Sequence, residues 1–175
     1  MLLLCFLFGT GLGTYQLYRG LTAGPRIDID AAQLEAGAPA PGVWLRIRGQ
    51  ALWSQVASQD DGSGSARHYV PVVSGTIQSK HEPRVFLEFQ GDLPKGGAGE
   101  AFFDGTVIGD RGVPRDIERD FAREGIILKS RRIMLESGGT PQGLVHRSFI
   151  GFTIGGFSLA MIPVIGRLRR RKLLP

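Results

Sequence analysis

The strongest constraint on this chain is the absence of charged side chains at both of its ends. Residues Met1 to Tyr18 and Ser148 to Gly166 contain no Asp, Glu, Lys, Arg or His. Hydrocarbon offers the backbone no hydrogen-bond partner, so an apolar segment there must close its own bonds, and a helix does so within one segment. At 1.5 Å per residue such stretches reach about 27–28 Å, close to the thickness of the hydrocarbon core. The sequence therefore predicts two membrane-spanning helices, 1–18 and 148–166. A domain of mixed composition lies between them.

The pI near 9.9 suggests a nucleic-acid partner until the charges are located. All 16 acids fall between Asp28 and Glu136, whereas five bases, Arg167, Arg169, Arg170, Arg171 and Lys172, crowd the tail 167–175. The middle of the chain is nearly neutral, so the basic footprint of a nucleic-acid surface is missing and no nucleic acid is expected. A basic cluster just past an apolar helix reads instead as a cytoplasmic anchor on anionic lipid. Two spans put both termini on that side, and the middle domain outside a bacterial inner membrane, in the periplasm or its equivalent. The first span lacks a basic leader and a small-residue cleavage site, so an uncleaved anchor is expected, with Tyr15 and Tyr18 in the interfacial aromatic belt.

Both spans carry small residues four apart: Gly9 and Gly13 in the first, Gly151 and Gly155, then Gly156 and Ala160, in the second. Such spacing lets helix backbones approach closely in lipid. Counted inward from Arg19 and from Arg147, the stripes overlap in an antiparallel hairpin. Pro163 is expected to kink the second helix.

In the centre, 19–42 reads as linker, with a short strand or helical turn within Ile27–Glu35, and 138–147 as a second linker. Between them, 43–137 reads as a β-rich domain. Val43, Leu45, Ile47, Gly49, Ala51 and Trp53 share one face of a strand, opposite Arg46, Arg48 and Gln50. Further strands are expected over Tyr69–Val73 (an edge, because of Pro71), Val85–Phe89, Ala101–Ile108 and within Ile126–Glu136. Turns are expected over Asp60–Ser65 and Pro94–Gly99. One helix is signalled by Pro114, by Asp116 and Glu118 in its first turn, by Ile117 and Phe121 on one face, and by the stop Gly125. Fold class is thus α+β: two antiparallel transmembrane helices flanking a small β-rich domain with one helix, OB-like or a partly open barrel.

No catalytic constellation emerges. His68, His81 and His146 have no metal-ligand spacing, Cys5 is the one cysteine, and Lys95–Gly99 lacks the Gly-Lys-Ser/Thr ending of a phosphate loop. Asp28 and Asp30 share a face but read as solvated charges, as do the mixed charges of 116–124. No catalytic, cofactor or metal residues are assigned, and the chain is expected not to be an enzyme. Trp44 beside Arg46 and Arg48 forms the expected partner surface.

Gly13-Thr14-Tyr15-Gln16-Leu17-Tyr18-Arg19 resembles the "G-T-W-Q-x-x-R" that ends the first span of surfeit-type cytochrome oxidase assembly factors, with Tyr15 for Trp. The Asn-Arg-Gly-Trp segment of that family is absent. This resemblance implies an assembly factor or chaperone for a respiratory or haem-containing membrane complex. Asp104–Val107, Met134–Pro141 and the glycine-rich second span are similar in layout to uncharacterised bacterial two-span envelope proteins. The main expectation is a non-enzymatic membrane protein that presents its β-rich domain to other membrane or envelope proteins, with the bilayer as its constant partner.

Overall fold

The computed structural model describes residues 2–60, 66–75, 80–93, 99–108, 113–129 and 132–172, the last with side chains up to residue 163. The turn expected over 61–65, most of the glycine loop at 94–98, and the side chains of Arg167, Arg169, Arg170, Arg171 and Lys172 lie outside the described residues. The fold is mixed α+β, with four helices and a closed five-stranded barrel among the described residues. Met1–Ala23 with Thr140–Pro175 form one compact unit, and Gly24–Gly139 form another.

The first unit is a pair of helices, α1 (Leu2–Thr22) and α4 (Pro141–Lys172). They are antiparallel and touch backbone to backbone. A Cβ built on Gly9 would stand 2.9 Å from the Gly151 carbonyl oxygen and from the Gly155 nitrogen. On Gly13 it would stand 2.9 Å from the Ser148 carbonyl oxygen, and on Gly20 2.9 Å from that of Pro141. Only hydrogen fits at these positions. The side chains of Ser148 and Ser158 are buried on the same face of α4, while Gly156 meets nothing within 4 Å and Ala160 is exposed. The expected Gly156–Ala160 pair thus faces away from α1, because the contact stripe advances as 144, 148, 151, 155 and 158 rather than in steps of four alone.

Helix α4 starts seven residues before the expected span. Thr140 caps it, accepting the Gly143 N–H on Oγ1 at 3.1 Å, and Pro141 occupies the first helical position, where no N–H is needed. The expected linker 138–147 is therefore mostly helix, and the helix assignment continues through Pro163. Among the described residues one helix, α4 over Pro141–Pro163, is long and apolar enough to cross a membrane. Thr10, Thr14, Gln16 and Arg19 dilute the Leu- and Phe-rich start of α1.

In the second unit the strands are β1 (Ile27–Asp30), β2 (Trp44–Ala51), β3 (Ala57–Asp60), β4 (Ala66–Val73), β5 (Val85–Gln90), β6 (Glu100–Val107) and β7 (Ile133–Ser137). The two helices are α2 (Ala31–Glu35) and α3 (Arg115–Arg123). The barrel runs β2-β6-β7-β5-β4 and closes through pairing of β4 with β2 at Val73–Gln50 and Val72–Ala51. It is closed rather than partly open. β5 and β7 pair in parallel and the other barrel pairs are antiparallel. The β2–β4 seam is only two residues long. Beyond it the strands diverge, and each acquires a further partner: β1 lies parallel to β2, and β3 antiparallel to β4.

This seam corrects the placing of Pro71 on an edge. The Pro71 carbonyl accepts the Leu52 N–H at 2.9 Å, so the proline nitrogen points the same way, between the end of β3 and the start of the β2 pairing. No ladder bond to β5 is lost, and a proline can sit inside the barrel wall. Period-two alternation fills the interior with Leu45, Ile47, Val70, Val72, Val85, Leu87, Ile133 and Leu135. α2 adds Ala31 and Leu34 to that core, both without solvent exposure. Gly49 makes room for it: a Cβ there would stand 3.0 Å from the Ala31 Cβ and 2.8 Å from a Val72 methyl. Residues 24–42, read as mostly linker, thus supply a strand and a core helix.

A second cluster lies on the outer side of the wall. Ile117 and Phe121 of α3 cover Tyr69, Phe86 and Met134, with the Phe86 and Phe121 rings 5.5 Å apart. The α3 terminus is closed by two backbone bonds, Ile126 N–H to Phe121 C=O at 2.9 Å and Gly125 N–H to Ala122 C=O at 3.2 Å. Gly125, at φ +78°, takes the left-handed conformation this cap requires. Ile126, expected to begin a strand, instead packs back on Phe121, and the last strand starts at Ile133.

Removing the Phe121 ring leaves a cavity between α3 and the barrel wall. Phe121→Ala should lower barrel stability by about 3–5 kcal/mol, measured by denaturant unfolding of the purified chain. A loss below about 1 kcal/mol would mean that α3 is not packed as described.

Candidate functional site

The inward face of β2 is committed to the core, so its outward face presents Trp44, Arg46, Arg48 and Gln50. The register completes the surface. Arg46 lies between Asp28 of β1 and Asp104 of β6, Arg48 between Asp30 and Phe102, and Trp44 lies opposite Thr106. Arg46 grips Asp104 through two bonds, Nε to Oδ1 at 2.8 Å and Nη2 to Oδ2 at 3.0 Å. Arg48 Nη2 donates to Glu100 Oε2 at 3.0 Å. Arg26, just ahead of β1, stands 3.5 Å from Asp104 and 3.6 Å from Asp28, with its guanidinium 5.8 Å from the Trp44 ring centre. Arg46 stands 5.7 Å from the centre of the Phe102 ring, which is 62% exposed.

Arginines therefore hold aromatic rings at the surface, while carboxylates hold the arginines. A planar guanidinium can do both at once, because its edge donates to a carboxylate while its face meets a ring. The bond from Arg46 holds the Asp104 carboxyl below its ordinary range, with further lowering from the charges of Arg46 and Arg26. The same bond raises the Arg46 guanidinium. Composition of this kind, with Trp, Phe and Arg on a rigid sheet, is what protein-interaction surfaces concentrate at their centres.

The three expected partner-surface residues are thus brought together on one face. Phe102, Asp104 and Arg26, which the sequence reading left out, complete it. The alternation of Phe102 and Asp104 on a strand was the available signal, but only register shows which strand lies beside β2. Asp28 and Asp30 sit on the same face, Asp28 as an ion-pair partner of Arg26.

Other polar groups act elsewhere. Glu35 accepts the Ser74 N–H at 3.0 Å and its hydroxyl at 2.6 Å, and buried Arg84 donates to the Leu34 carbonyl at 2.6 Å, so α2 is tied to the barrel. Ser58 Oγ lies 2.6 Å from His68 Nδ1 across the β3–β4 pair, on an exposed surface. His68 therefore does stand beside a hydroxyl, which the sequence did not indicate. Among the described residues no group of three or more His, Cys, Asp or Glu side chains is placed to hold a metal ion. No protein-family model and no curated protein matches the chain.

Because the folded carboxyl of Asp104 is held below its unfolded value, it stabilises the fold above the unfolded pKa of about 4. That contribution disappears as pH falls through the folded value. Asp104→Asn should thus be less stable than the parent at pH 7, and the difference should narrow steadily below about pH 4. Parallel denaturation curves at pH 7, 5 and 3 check this; a gap that is constant or widens towards acid would contradict it.

Proposed function

We propose that the chain is an integral protein of a bacterial inner membrane. In this reading α1 and α4 cross the bilayer as a pair, and an OB-like barrel on the outer side binds other membrane or envelope proteins without catalysing a reaction. The observation that carries the membrane reading is the inverted character of the helix pair. Within the two uncharged runs the buried positions are Gly9, Gly13, Gly151, Gly155, Ser148 and Ser158, whereas Phe8 is 76%, Leu4 70% and Phe157 68% exposed. In water an apolar stripe turns inward and polar residues outward. Large apolar side chains outside and small residues between helices suit a pair whose solvent is lipid.

The polar groups of the pair agree with this. The hydroxyls of Thr10, Thr14, Thr153 and Ser158 each donate to a carbonyl one turn back, at 2.7–2.8 Å, as a hydroxyl in hydrocarbon must. Five bases of the tail, residues 167–172, favour the cytoplasmic side for both termini.

For the barrel, circular order and the parallel β5–β7 pair support the OB-like reading. In OB barrels the second and third strands form the oligonucleotide-binding face. The corresponding strands here are β4 and β5, and Ile117 and Phe121 of α3 cover Tyr69 and Phe86 on their outer side. This favours the opposite wall, with Trp44, Arg46, Arg48 and Phe102, as the surface offered to a protein partner.

The direct test is purification of the intact chain from membranes in mild detergent. Specific envelope proteins should co-purify, and Trp44→Ala with Arg48→Glu should release them while the chain stays in the membrane fraction. A parent protein that is monodisperse and carries no partner would contradict the proposal. Reporter fusions after Gly62 and after Pro175 should report the outside and the cytoplasm respectively; the reverse result would overturn the orientation.

A further inference from the structure

We infer that Ser58 is a covalent acceptor for apolar acyl groups delivered as activated esters, with His68 as the base that takes its proton.

The geometry comes from strand register. Ser58 of β3 is paired directly with His68 of β4, and His68 with Phe89 of β5. Residues directly opposite one another in neighbouring strands share a face, so hydroxyl, imidazole and ring form one row across three strands. Ser58 Oγ lies 2.6 Å from His68 Nδ1. The Trp53 ring centre stands 5.7 Å from that of Phe89, and both rings, with Val56, are half-buried against the barrel core. The row therefore runs from an exposed hydroxyl, through a half-buried imidazole, to an apolar patch.

The flanking backbone holds the pair in place. Ala57 and Tyr69, the neighbours of Ser58 and His68, are paired with each other and buried in the cluster beneath α3. Gln59 Nε2 donates to Asp116 Oδ2 of α3 at 3.1 Å, which ties β3 down on the other side of Ser58. Short side chains on a fixed backbone have little freedom left to lose.

A serine hydroxyl at neutral pH is a weak nucleophile, and an imidazole that accepts its proton during attack makes it a competent one. With its own hydrogen on Nε2, neutral His68 accepts the Ser58 hydroxyl on Nδ1. Attack on an ester carbonyl forms the bond from Oγ to the acyl carbon and breaks the bond from that carbon to the leaving oxygen. The proton passes from Oγ to Nδ1 and then to the departing oxygen, so the products are acyl-Ser58 and a free alcohol or phenol. An apolar acyl chain can lie along Phe89 and Trp53. Among the described residues no bond to His68 Nε2 is found, so the base lacks the orienting carboxylate of a hydrolytic triad. Acyl-Ser58 is thus a modified state of the chain rather than an intermediate of a cycle, and it depends on neither the membrane nor the partner reading.

The test treats the purified intact chain with p-nitrophenyl butyrate and, separately, with p-nitrophenyl acetate, and locates the acyl groups by tandem mass spectrometry. Ser58 should be acylated well ahead of Ser54, an exposed serine in the preceding turn that serves as the reference. The butyrate ester should label Ser58 several-fold faster than the acetate ester. His68→Gln keeps a hydrogen-bond acceptor but removes the base; it should slow acylation of Ser58 by about 100-fold and leave Ser54 unchanged. The map of the unaltered chain needs no variant to fold. The inference is overturned if Ser58 reacts no faster than Ser54, if His68→Gln reacts as fast as the parent, or if the two esters label Ser58 at equal rates.

Discussion

The membrane reading of this protein depends on two helix backbones approaching until only hydrogen fits between them. Gly9 and Gly13 on α1 and Gly151 and Gly155 on α4 supply that approach: a Cβ on any of the first three would stand 2.8–2.9 Å from main-chain atoms of the other helix, and one on Gly155 would stand 2.8 Å from the Thr10 methyl carbon and 3.2 Å from the Thr10 nitrogen. Main chain cannot yield to an added methyl group as a long side chain can, so the contact has little tolerance. Its consequence reaches beyond the pair. Because the buried stripe within the uncharged runs is made of Gly and Ser, large apolar side chains there such as Leu4, Phe8, Ile154 and Phe157 point outward. Water penalises such a surface and lipid does not.

The barrel follows the opposite rule. Its interior is ordinary apolar packing in two clusters, one inside the wall and one beneath α3. With both faces of β4 and β5 committed to these clusters, the outer wall formed by β1, β2 and β6 is left to face its surroundings. Arginine, carboxylate and aromatic side chains are interlaced there. Since each arginine both pairs with an acid and faces a ring or stands beside one, the wall is nearly neutral. That combination suits recognition by shape and anchors more than long-range attraction.

How much of this was legible in the sequence differs from element to element. The periodicity of 43–53 and 85–89 is unambiguous, and the strands and their inward faces follow from it. The α3 helix announces itself through Pro114, Asp116, Glu118 and Gly125. Within the expected linker 19–42, the short strand or helical turn expected over Ile27–Glu35 is both, β1 followed by α2; what the sequence does not show is that they join the core, which the vacant edge of β2 beside the seam decides, a tertiary cause. Pro71 misled for a related reason, since a proline is barred from a ladder only on the side its nitrogen faces. The early start of α4 was readable at Thr140-Pro141, an N-cap followed by an N1 proline. At the candidate surface, Trp44, Arg46 and Arg48 could be placed on one face from alternation alone. Asp104, Phe102 and Arg26 could not, because register and strand order are set by closure of the barrel.

The close contact between α1 and α4, and its proposed place in lipid, are tested most directly by joining the two helices. A Cβ on Gly155 would lie 2.8 Å from the Thr10 methyl carbon, close enough for a disulfide between these positions. In a chain carrying Cys5→Ser, Thr10→Cys and Gly155→Cys, held in membranes washed with alkaline carbonate, mild oxidation should remove both thiols from maleimide labelling. Two thiols that stay free after oxidation, in a chain that remains folded, or a chain released by the wash, would contradict the account.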